Sequence, residues 1–286
     1  MSQSFVDISP QINLPGSTVV RIKQANAAGF KLIRLPFVGT LNVSHVKLAV
    51  SLGMRVVIDL HPDLKWWSDP EKIYTLPTLC RRMATAVAGF SSDDVAIQIV
   101  NEPRMKNRAS VYSKILEACI EAIREITPDR WIVIQNQQLG DIDFWNKPEG
   151  IFVAPKYSRL IASLHYYRPF EITHPEHYLK QATPLLFPPL TFPPTSGFAK
   201  ADWDHLEVHF QKFTAWCVEN NCTPWIGEAG CYETVPNRLR WFEAVKGMAV
   251  KYQVPICWWA LNDRFGLRPG ATDQPDWAEI QKLILA

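Results

Sequence analysis

Polar side chains follow the apolar, strand-like runs of this chain at six places. The set consists of Arg34, His61, the pair Asn101–Glu102, His165 with Tyr167, Glu228 and Trp259. Burying two carboxylates, a guanidinium and two imidazoles close together costs free energy unless the groups act together in chemistry. Two carboxylates without a cluster of metal-ligand spacing point to glycoside hydrolysis. In that reaction one carboxylic acid protonates the leaving oxygen, and one carboxylate attacks the sugar or activates water.

The two glutamates need different environments for such a reaction. A glutamate that is paired with Arg34 and hydrogen-bonded by a tyrosine stays ionised, as a nucleophile must. The other glutamate has to carry a proton at the working pH, and we therefore expect it in a less positively charged part of the site. Each residue alone also has a structural interpretation, such as an ion pair between Arg34 and Glu228. Only their combination favours catalysis.

Eight apolar runs alternate with amphipathic stretches, and these elements would position the polar residues. The predicted strands are Phe5–Ser9, Lys31–Phe37, Arg55–His61, Val95–Asn101, Trp131–Asn136, Leu160–Tyr167, Pro224–Gly230 and Pro255–Asn262. The runs are continuous, which is typical of parallel strands buried on both faces. Helix start and stop signals lie between most of them, although residues 136–160 show no clear helix.

Eight strands alternating with helices predict an α/β fold of the (β/α)8 TIM-barrel type, with residues 1–286 as one catalytic domain. The carboxyl ends of barrel strands meet on one face, which would gather the polar residues there. A doubly wound open sheet is the alternative fold, but no glycine-rich phosphate loop follows an early strand. Residues 168–203 contain seven prolines and several aromatic residues, and they predict a long functional loop on the same face.

Composition excludes several classes of protein. The chain is 47% hydrophobic and 20% charged, a globular balance, and its formal net charge is only +2. Without a basic block or an acidic tail, we expect neither nucleic acid nor an anionic membrane as a partner. No apolar run reaches the roughly 18 residues of a membrane span. The start MSQSFVDISP lacks the features of a signal peptide, and both an intracellular protein and a mature secreted one stay open.

The six cysteines have no metal-ligand spacing, and most lie within apolar helix or strand patterns. They are Cys80, Cys119, Cys217, Cys222, Cys231 and Cys257. Disulfides would suit a secreted protein, whereas the patterns favour reduced cysteines in the core.

The motifs around the polar residues resemble glycoside hydrolase family five, the cellulase family. They are IRLPF with Arg34, VVIDLH with His61, IVNEP with Asn101–Glu102–Pro103, SLHYYRPF with His165 and Tyr167, WIGEAG with Glu228, and WWALNDRFG with Trp259. Their order and the roughly 125 residues between the glutamates fit the family, and the resemblance covers about residues 17–285. The first strand and the connection after Phe37 are shorter than in much of the family. Some glycone-side subsites are therefore expected to be missing or shallow.

The resemblance implies a retaining mechanism on a (β/α)8 barrel, without a metal or other cofactor. Glu102 then resembles the general acid/base and Glu228 the nucleophile. Asn101 would bind the 2-hydroxyl of the sugar at the cleaved bond. Arg34 and Tyr167 would orient Glu228 and keep it anionic.

The resemblance also assigns the walls of the sugar site. His61 and His165 would line the subsite, and Trp259 would form its stacking floor. Strand side chains alternate, so the neighbouring Trp258 would point to the opposite side of strand eight. Trp66 and Trp67, just after His61, are candidates for a sugar platform. Trp145, Trp203, Asn262 and Asp263 are weaker candidates for sugar contacts.

These observations lead to the hypothesis of an endo-acting β-1,4-glucanase, acting as a monomer on a β-glucan polysaccharide or oligosaccharide. The same mechanism on mannan, xyloglucan, lichenan or β-1,3-glucan is the nearest alternative, because catalytic residues do not select the sugar. A non-catalytic carbohydrate-binding barrel is the alternative from another class. Transglycosylation is a further possibility, because a sugar in place of water can capture a retaining intermediate.

Overall fold

The fold is a closed barrel of eight parallel strands in sequence order, seen in a computed structural model of the chain. The structure describes residues 4–105, 108–145, 157–175, 192–195, 197–261, 263–265, 267 and 276–286. The strands are β1 Gln11–Asn13, β2 Leu32–Phe37, β3 Arg55–Leu60, β4 Val95–Gln98, β5 Ile132–Ile134, β6 Leu160–Tyr166, β7 Cys222–Ala229 and β8 Ile256–Trp258. β1 pairs with β8 and closes the barrel, which confirms the predicted (β/α)8 architecture.

Helices surround the barrel and connect its strands. Their bounds are α1 Val19–Ala27, α2 Val43–Ser51, α3 Leu64–Ser68, α4 Leu76–Ala86, α5 Ala109–Arg124, α6 Phe170–Thr173, α7 Gly197–Asp204, α8 Leu206–Glu219, α9 Arg238–Tyr252 and α10 Trp277–Leu285. Short 3-10 turns span Lys72–Thr75 and Ile142–Phe144. The second turn is the one regular piece that the structure describes in the interval left irregular by the sequence. Most of the long loop, residues 176–191, lies outside the described residues.

The barrel interior changes from apolar to polar along five neighbouring strands, β2 to β6. Its lower layers are apolar and include Leu32, Val57, Ala96, Val133, Ile161, Trp225 and Cys257. Two residues further along the same strands, the inward side chains are Arg34, Asp59, Gln98, Gln135 and Ser163, all buried. Because strand side chains alternate between faces, a step of two stays inside the barrel. The change of polarity therefore places charged groups only at the carboxyl-terminal end.

The prediction of Phe5–Ser9 as the first strand is wrong, since β1 is Gln11–Asn13. Phe5 and Val6 are apolar because they pack among the lowest side chains inside the barrel and close its amino-terminal end. The polar side chains of Gln11 and Asn13 point inward, where both form hydrogen bonds. The Trp225 indole donates to Gln11 Oε1 at 2.8 Å, for example. A polar three-residue strand carries no apolar pattern that sequence reasoning detects.

The six cysteines are buried with free thiols, which confirms the prediction of reduced core cysteines. They belong to the packing inside the barrel or between its strands and helices. Burial raises the pKa of the Cys257 thiol well above its ordinary value. None of the helices in the described ranges is long and apolar enough to cross a bilayer.

Candidate active site

Arg34 occupies the centre of the polar end of the barrel, where it donates four hydrogen bonds and forms a further ion pair with Asp59. Its acceptors are Gln98 Oε1 at 2.8 Å, Asn13 Oδ1 at 2.8 Å, Glu228 Oε1 at 2.6 Å, Asn101 Oδ1 at 2.5 Å and Asp59 Oδ2 at 2.9 Å. Burial opposes the charge on Arg34, but the carboxylates of Asp59 and Glu228 outweigh burial and raise its pKa. A guanidinium has five donors in a rigid fork, so this network allows a single orientation.

Glu228 points into the barrel because β7 contains one extra residue. Ser163 of β6 pairs with Trp225, whereas His165, two residues on, pairs with Glu228. The residue left over is Gly227, and a Cβ on it would lie 2.2 Å from Ser163 Oγ. Simple alternation from the inward Trp225 would turn Glu228 outward. The bulge reverses that direction.

The carboxylate of Glu228 is almost fully buried and engaged at both oxygens. Arg34 donates to Oε1, and the Tyr167 hydroxyl donates to Oε2 at 2.9 Å. Burial, together with the carboxylates of Glu228 and Glu102, raises the pKa of Tyr167 well above its ordinary value, so the tyrosine keeps its proton and donates. This is the arrangement expected from the sequence for a carboxylate that stays ionised.

Glu102 follows β4 with a backbone in the left-handed region, at φ 45°. A side chain in that region is strained, and such residues persist when the surroundings hold them. Here the Glu102 N–H donates to the buried Gln135 Oε1 at 2.7 Å. The Glu102 carboxylate, 30% exposed, contacts His165 Nδ1 at 3.0 Å through Oε1. Sequence reasoning found Glu102 but missed Gln135.

The charge around Glu102 differs from the expectation of less positive surroundings. Burial raises the pKa of Glu102, but the hydrogen bond and charge of protonated His165, with smaller contributions from His61 and Arg104, outweigh burial and lower it. His165 Nε2 is buried and has no acceptor among the described residues. A proton on that nitrogen would be unsatisfied, whereas a proton on Nδ1 donates to Glu102. That hydrogen bond is the largest of the contributions that lower the pKa of Glu102.

The two glutamates lie close together across His165. Single ligand atoms of Glu102, His165 and Glu228 all lie within 4.8 Å of one another. Carboxyl groups about 5–5.5 Å apart are typical of retaining glycosidases, and about 6.5–9.5 Å of inverting ones. This is also the one group among the described residues whose composition suits a metal ion. Arg34 already neutralises Glu228, however, and would repel a divalent cation at this point.

A second branch of the network joins Asp59, His61 and Asn101. Asp59 is completely buried, and its Oδ2 contacts both Arg34 and His61 Nδ1, the latter at 3.0 Å. His61 Nε2 contacts Asn101 Nδ2 at 3.2 Å. Asp59 stands in VVIDLH, two residues before His61, and strand alternation placed it inside the barrel, yet sequence reasoning did not single it out.

Trp259 lies partly exposed beside His61, with ring centroids 5.9 Å apart and planes at 28°. Its indole N–H donates to Asp263 Oδ2 at 3.1 Å. Asp263 thus contacts the tryptophan. The sugar contacts suggested for Asp263 and Trp203 stay predictions, and Asn262 lies outside the described residues. Trp258 is buried on the outer side, against Phe242 of α9.

The other tryptophan candidates differ in exposure. Trp66 and Trp67 lie on α3 after β3 and are partly buried edge-to-face, with centroids 4.6 Å apart. Their role as a sugar platform stays a prediction. Trp145 is buried against Phe213 and Trp216, so its suggested sugar contact is wrong.

A cleft of about 640 Å³ opens beside Glu102 and His165. Its wall includes Tyr167, Phe170, Asp141, Glu171, Asp202 and His205. Arg168 binds three carboxylates there: Asp141 at 2.8 Å, Asp143 at 2.9 Å and Asp202 at 3.4 Å. The pKa of Asp202 is raised to about 6, because burial and neighbouring carboxylates outweigh Arg168.

The profile of a known enzyme family matches most of the chain. Residues 17–265 match the cellulase family, glycosyl hydrolase family 5. This chain belongs to glycosyl hydrolase family 5. It is similar to cellodextrinase A of Ruminococcus flavefaciens, with 22% identity over 229 residues, or 73% of the chain. The match spans 63% of the length of that relative.

Solved structures share the fold of this family 5 chain. An endoglucanase superposes with a TM-score of 0.81 at 19% identity, covering 98% of this chain and 97% of the other. The cellulose synthase subunit Z of Clostridioides difficile gives 0.80 at 20% identity, covering 98% of both. Cel5A of Thermotoga maritima, in complex with mannotriose, gives 0.78 at 20% identity, covering 98% and 97%.

The fold brings the eight motif residues singled out in the sequence together at the carboxyl-terminal end of the barrel. The motif residues brought into one connected cluster are Arg34, His61, Asn101, Glu102, His165, Tyr167, Glu228 and Trp259. Trp66 and Trp67 stand apart from the hydrogen bonds of this cluster. The supporting residues Asn13, Asp59, Gln98 and Gln135 were missed, although each is an inward polar residue next to an apolar one.

Proposed function

We propose that this chain is a retaining, endo-acting glycoside hydrolase that cleaves β-1,4-glucan through a glycosyl-enzyme intermediate. The supporting observation is the pair Glu102 and Glu228, with oxygens within 4.8 Å and different partners. Arg34 and Tyr167 engage Glu228, whereas Glu102 contacts His165 and faces the open cleft. The arrangement provides one anionic nucleophile and one acid that reaches the leaving sugar.

In the first half of the proposed reaction, Glu228 attacks the anomeric carbon while Glu102 gives its proton to the glycosidic oxygen. The leaving sugar occupies the cleft beside Glu102, and the glycone stacks on Trp259. The Asn101 amide donates to the 2-hydroxyl, and this bond strengthens as the transition state forms. His61 and His165 line the same subsite.

In the second half, water enters from the cleft vacated by the leaving sugar. Glu102, now a carboxylate, removes a proton from that water, which attacks the anomeric carbon and releases Glu228. The configuration is retained because two inversions occur. His165 Nδ1 contacts oxygens of both glutamates, at 3.0 Å for Glu102 and 3.4 Å for Glu228, and follows the charge as it moves between them.

The choice of β-1,4-glucan rests on the relatives and stays open to correction. Cellodextrinase and endoglucanase relatives favour glucan, whereas the Cel5A structure with mannotriose keeps mannan as the main alternative. Xyloglucan, lichenan and β-1,3-glucan are further alternative substrates, because loops outside the catalytic cluster select the sugar. We further propose a monomer of one domain without a cofactor.

The test follows reducing-sugar release and viscosity with carboxymethyl-cellulose, barley β-glucan, glucomannan and mannan. Glu228→Gln is assayed beside the wild type, with Trp145→Phe, buried outside the cluster, as a matched control. An early fall in viscosity on the glucans, absent in Glu228→Gln, supports the proposal. Cleavage of mannan alone would correct the substrate. Binding of these polymers without cleavage would instead indicate a carbohydrate-binding barrel.

A further inference from the structure

Asn101 is held in one orientation by Arg34. Arg34 carries only donors, so the atom of Asn101 that it contacts at 2.5 Å is the amide oxygen. The Asn101 NH2 group therefore faces His61 Nε2 at 3.2 Å. Since an amide NH2 only donates, His61 Nε2 has to accept.

His61 is fixed from its other side by Asp59. The buried carboxylate oxygen of Asp59 lies 3.0 Å from His61 Nδ1, which must donate to it. Both contacts are satisfied together only by the neutral ring with its proton on Nδ1. The hydrogen bonds thus run in one direction, from Asn101 to His61 and from His61 to Asp59.

We propose that Asp59 is a positioning residue, which fixes the tautomer of His61 and through it the Asn101 amide that the sugar meets. This inference rests on the proposed function, because it gives Asn101 the 2-hydroxyl of the bound sugar. One Asn101 N–H is committed to His61, and the other remains for that hydroxyl. Asp59 touches neither the sugar nor the reacting atoms.

Protonation of His61 breaks the arrangement. A proton on Nε2 would face the Asn101 NH2, and Arg34 prevents the amide from turning over. The charged groups around His61 are Asp59 on β3, Arg34 on β2, Glu102 after β4 and Glu228 on β7, with Trp259 stacked from β8. Burial lowers the pKa of His61, but Asp59 and Glu228 outweigh burial and raise it. Activity should therefore fall on the acid side as His61 becomes charged.

Asp59→Asn tests the proposal. Oδ2 of Asp59 contacts both Arg34 and His61 Nδ1, so the asparagine oxygen has to take that place to keep both contacts. The contact then loses the negative charge that favours the proton on Nδ1, and the tautomer with the proton on Nε2, against Asn101, becomes more populated. We expect kcat/KM on an aryl β-cellobioside to fall severalfold. The penalty for removing the 2-hydroxyl from the sugar at the cleaved bond should shrink several-fold. Asp7→Asn, which breaks the Arg55 pair at the opposite end of β3, is the matched control.

His61→Gln provides a second variant whose folding is less at risk, since His61 is 29% exposed. Glutamine offers an oxygen to Asn101 and does not titrate. We expect the acid limb of the pH profile of kcat/KM to move to lower pH. In the His61→Gln background, Asp59→Asn should lower kcat/KM much less than it does in the wild type. An unchanged 2-hydroxyl penalty in a folded Asp59→Asn, or an unmoved acid limb in His61→Gln, would overturn the proposal.

Nitrogen NMR of the histidine rings separates this inference from the proposed function. At pH 8 the wild-type His61 signal, assigned by its loss in His61→Gln, should report the tautomer protonated on Nδ1. An enzyme that cleaves none of the polymers would refute the proposed function but leave this readout intact. The tautomer protonated on Nε2, or a cation at pH 8, would refute the role of Asp59.

Discussion

The proposed roles of the two glutamates differ in what each side chain can reach. Glu228 lies against Arg34 and Tyr167 with 5% of its side chain exposed, whereas Glu102 is 30% exposed and lines the cleft. A nucleophile needs only the anomeric carbon, but an acid/base needs the leaving sugar and then water. The difference in exposure fits that division.

Chemical rescue is expected to separate these roles. Glu102→Ala should retain its first step on a dinitrophenyl β-cellobioside, because that leaving group needs no proton. Azide should then accelerate turnover and give a β-glycosyl azide. Glu228→Ala should be inactive on this substrate, and azide should give the α-product if any. Both products can be assigned by NMR, and the reverse pattern would exchange the two assignments.

Arg34→Lys should be far from conservative. Lysine has three donors on one nitrogen and cannot serve five acceptors spread over Asn13, Asp59, Gln98, Asn101 and Glu228. We expect kcat to fall about 10²-fold or more, comparable to the loss of one preorganised donor. Arg55→Lys, at the half-exposed pair with Asp7, is the control and should keep its activity. Similar kcat values for both variants would refute the special position of Arg34.

At the scale of elements, the direction of Glu228 depends on the bulge in β7. Gly227 lies where a side chain would strike Ser163 of β6, so β6 and β7 approach more closely than other residues permit. The same strand pair contributes His165. One local irregularity therefore sets the distance between a histidine and a carboxylate on different strands.

Gly227→Ala should lower both stability and activity. The new methyl group would lie 2.2 Å from Ser163 Oγ, and something must move. Removal of that oxygen in Gly227→Ala/Ser163→Ala should recover part of the thermal stability. Gly247→Ala on α9 is the control, because nothing lies within 4 Å of its Cβ position. Equal melting temperatures for wild type and Gly227→Ala would contradict the packing argument.

The sequence predicted strands two to eight and the eight motif residues of the cluster, because apolar runs that end in polar residues are typical of buried strands that lead into a site. The prediction failed at β1. The inward residues of this strand, Gln11 and Asn13, are polar, whereas Phe5 and Val6 before it are apolar and gave a strand-like pattern. The prediction also did not anticipate the bulge, since a two-residue period alone turns Glu228 outward. The contacts of Asp59 and Gln135 are made to residues that follow or belong to other strands. The spacing of residues along one strand does not predict the distances between strands, and so these partners were missed.

For the whole molecule, charge is distributed unevenly around the mouth of the barrel. The cleft beside Glu102 carries Asp141, Glu171 and Asp202 in its wall, and Arg168 faces three carboxylates. Burial, together with the neighbouring carboxylates, raises the pKa of Asp202 to about 6 and so disfavours its charged form. Stability is therefore expected to depend on pH through a group outside the central cluster.

Asp202→Asn should stabilise the protein at high pH. The pKa of Asp202 is higher in the folded protein than its ordinary value of 3.8, so the folded state loses stability as pH rises from about 4 through about 6. An uncharged asparagine removes that loss of stability, and Arg168 keeps its ion pairs with Asp141 and Asp143. We expect the melting temperature to rise by a few degrees at pH 8 and not at pH 3.5. A fall at pH 8 would show that the Arg168 pair outweighs the crowding.

The five polar contacts of Arg34 also bear on the lifetime of the proposed covalent intermediate. When Glu228 becomes an ester, its negative charge disappears, yet Arg34 has four other acceptors and stays in place. The guanidinium then faces an ester whose departure would regenerate the anion it stabilises. The same side chain that keeps the nucleophile charged thus makes it a good leaving group. The ester is therefore expected to be short-lived, whether water or a second sugar attacks it.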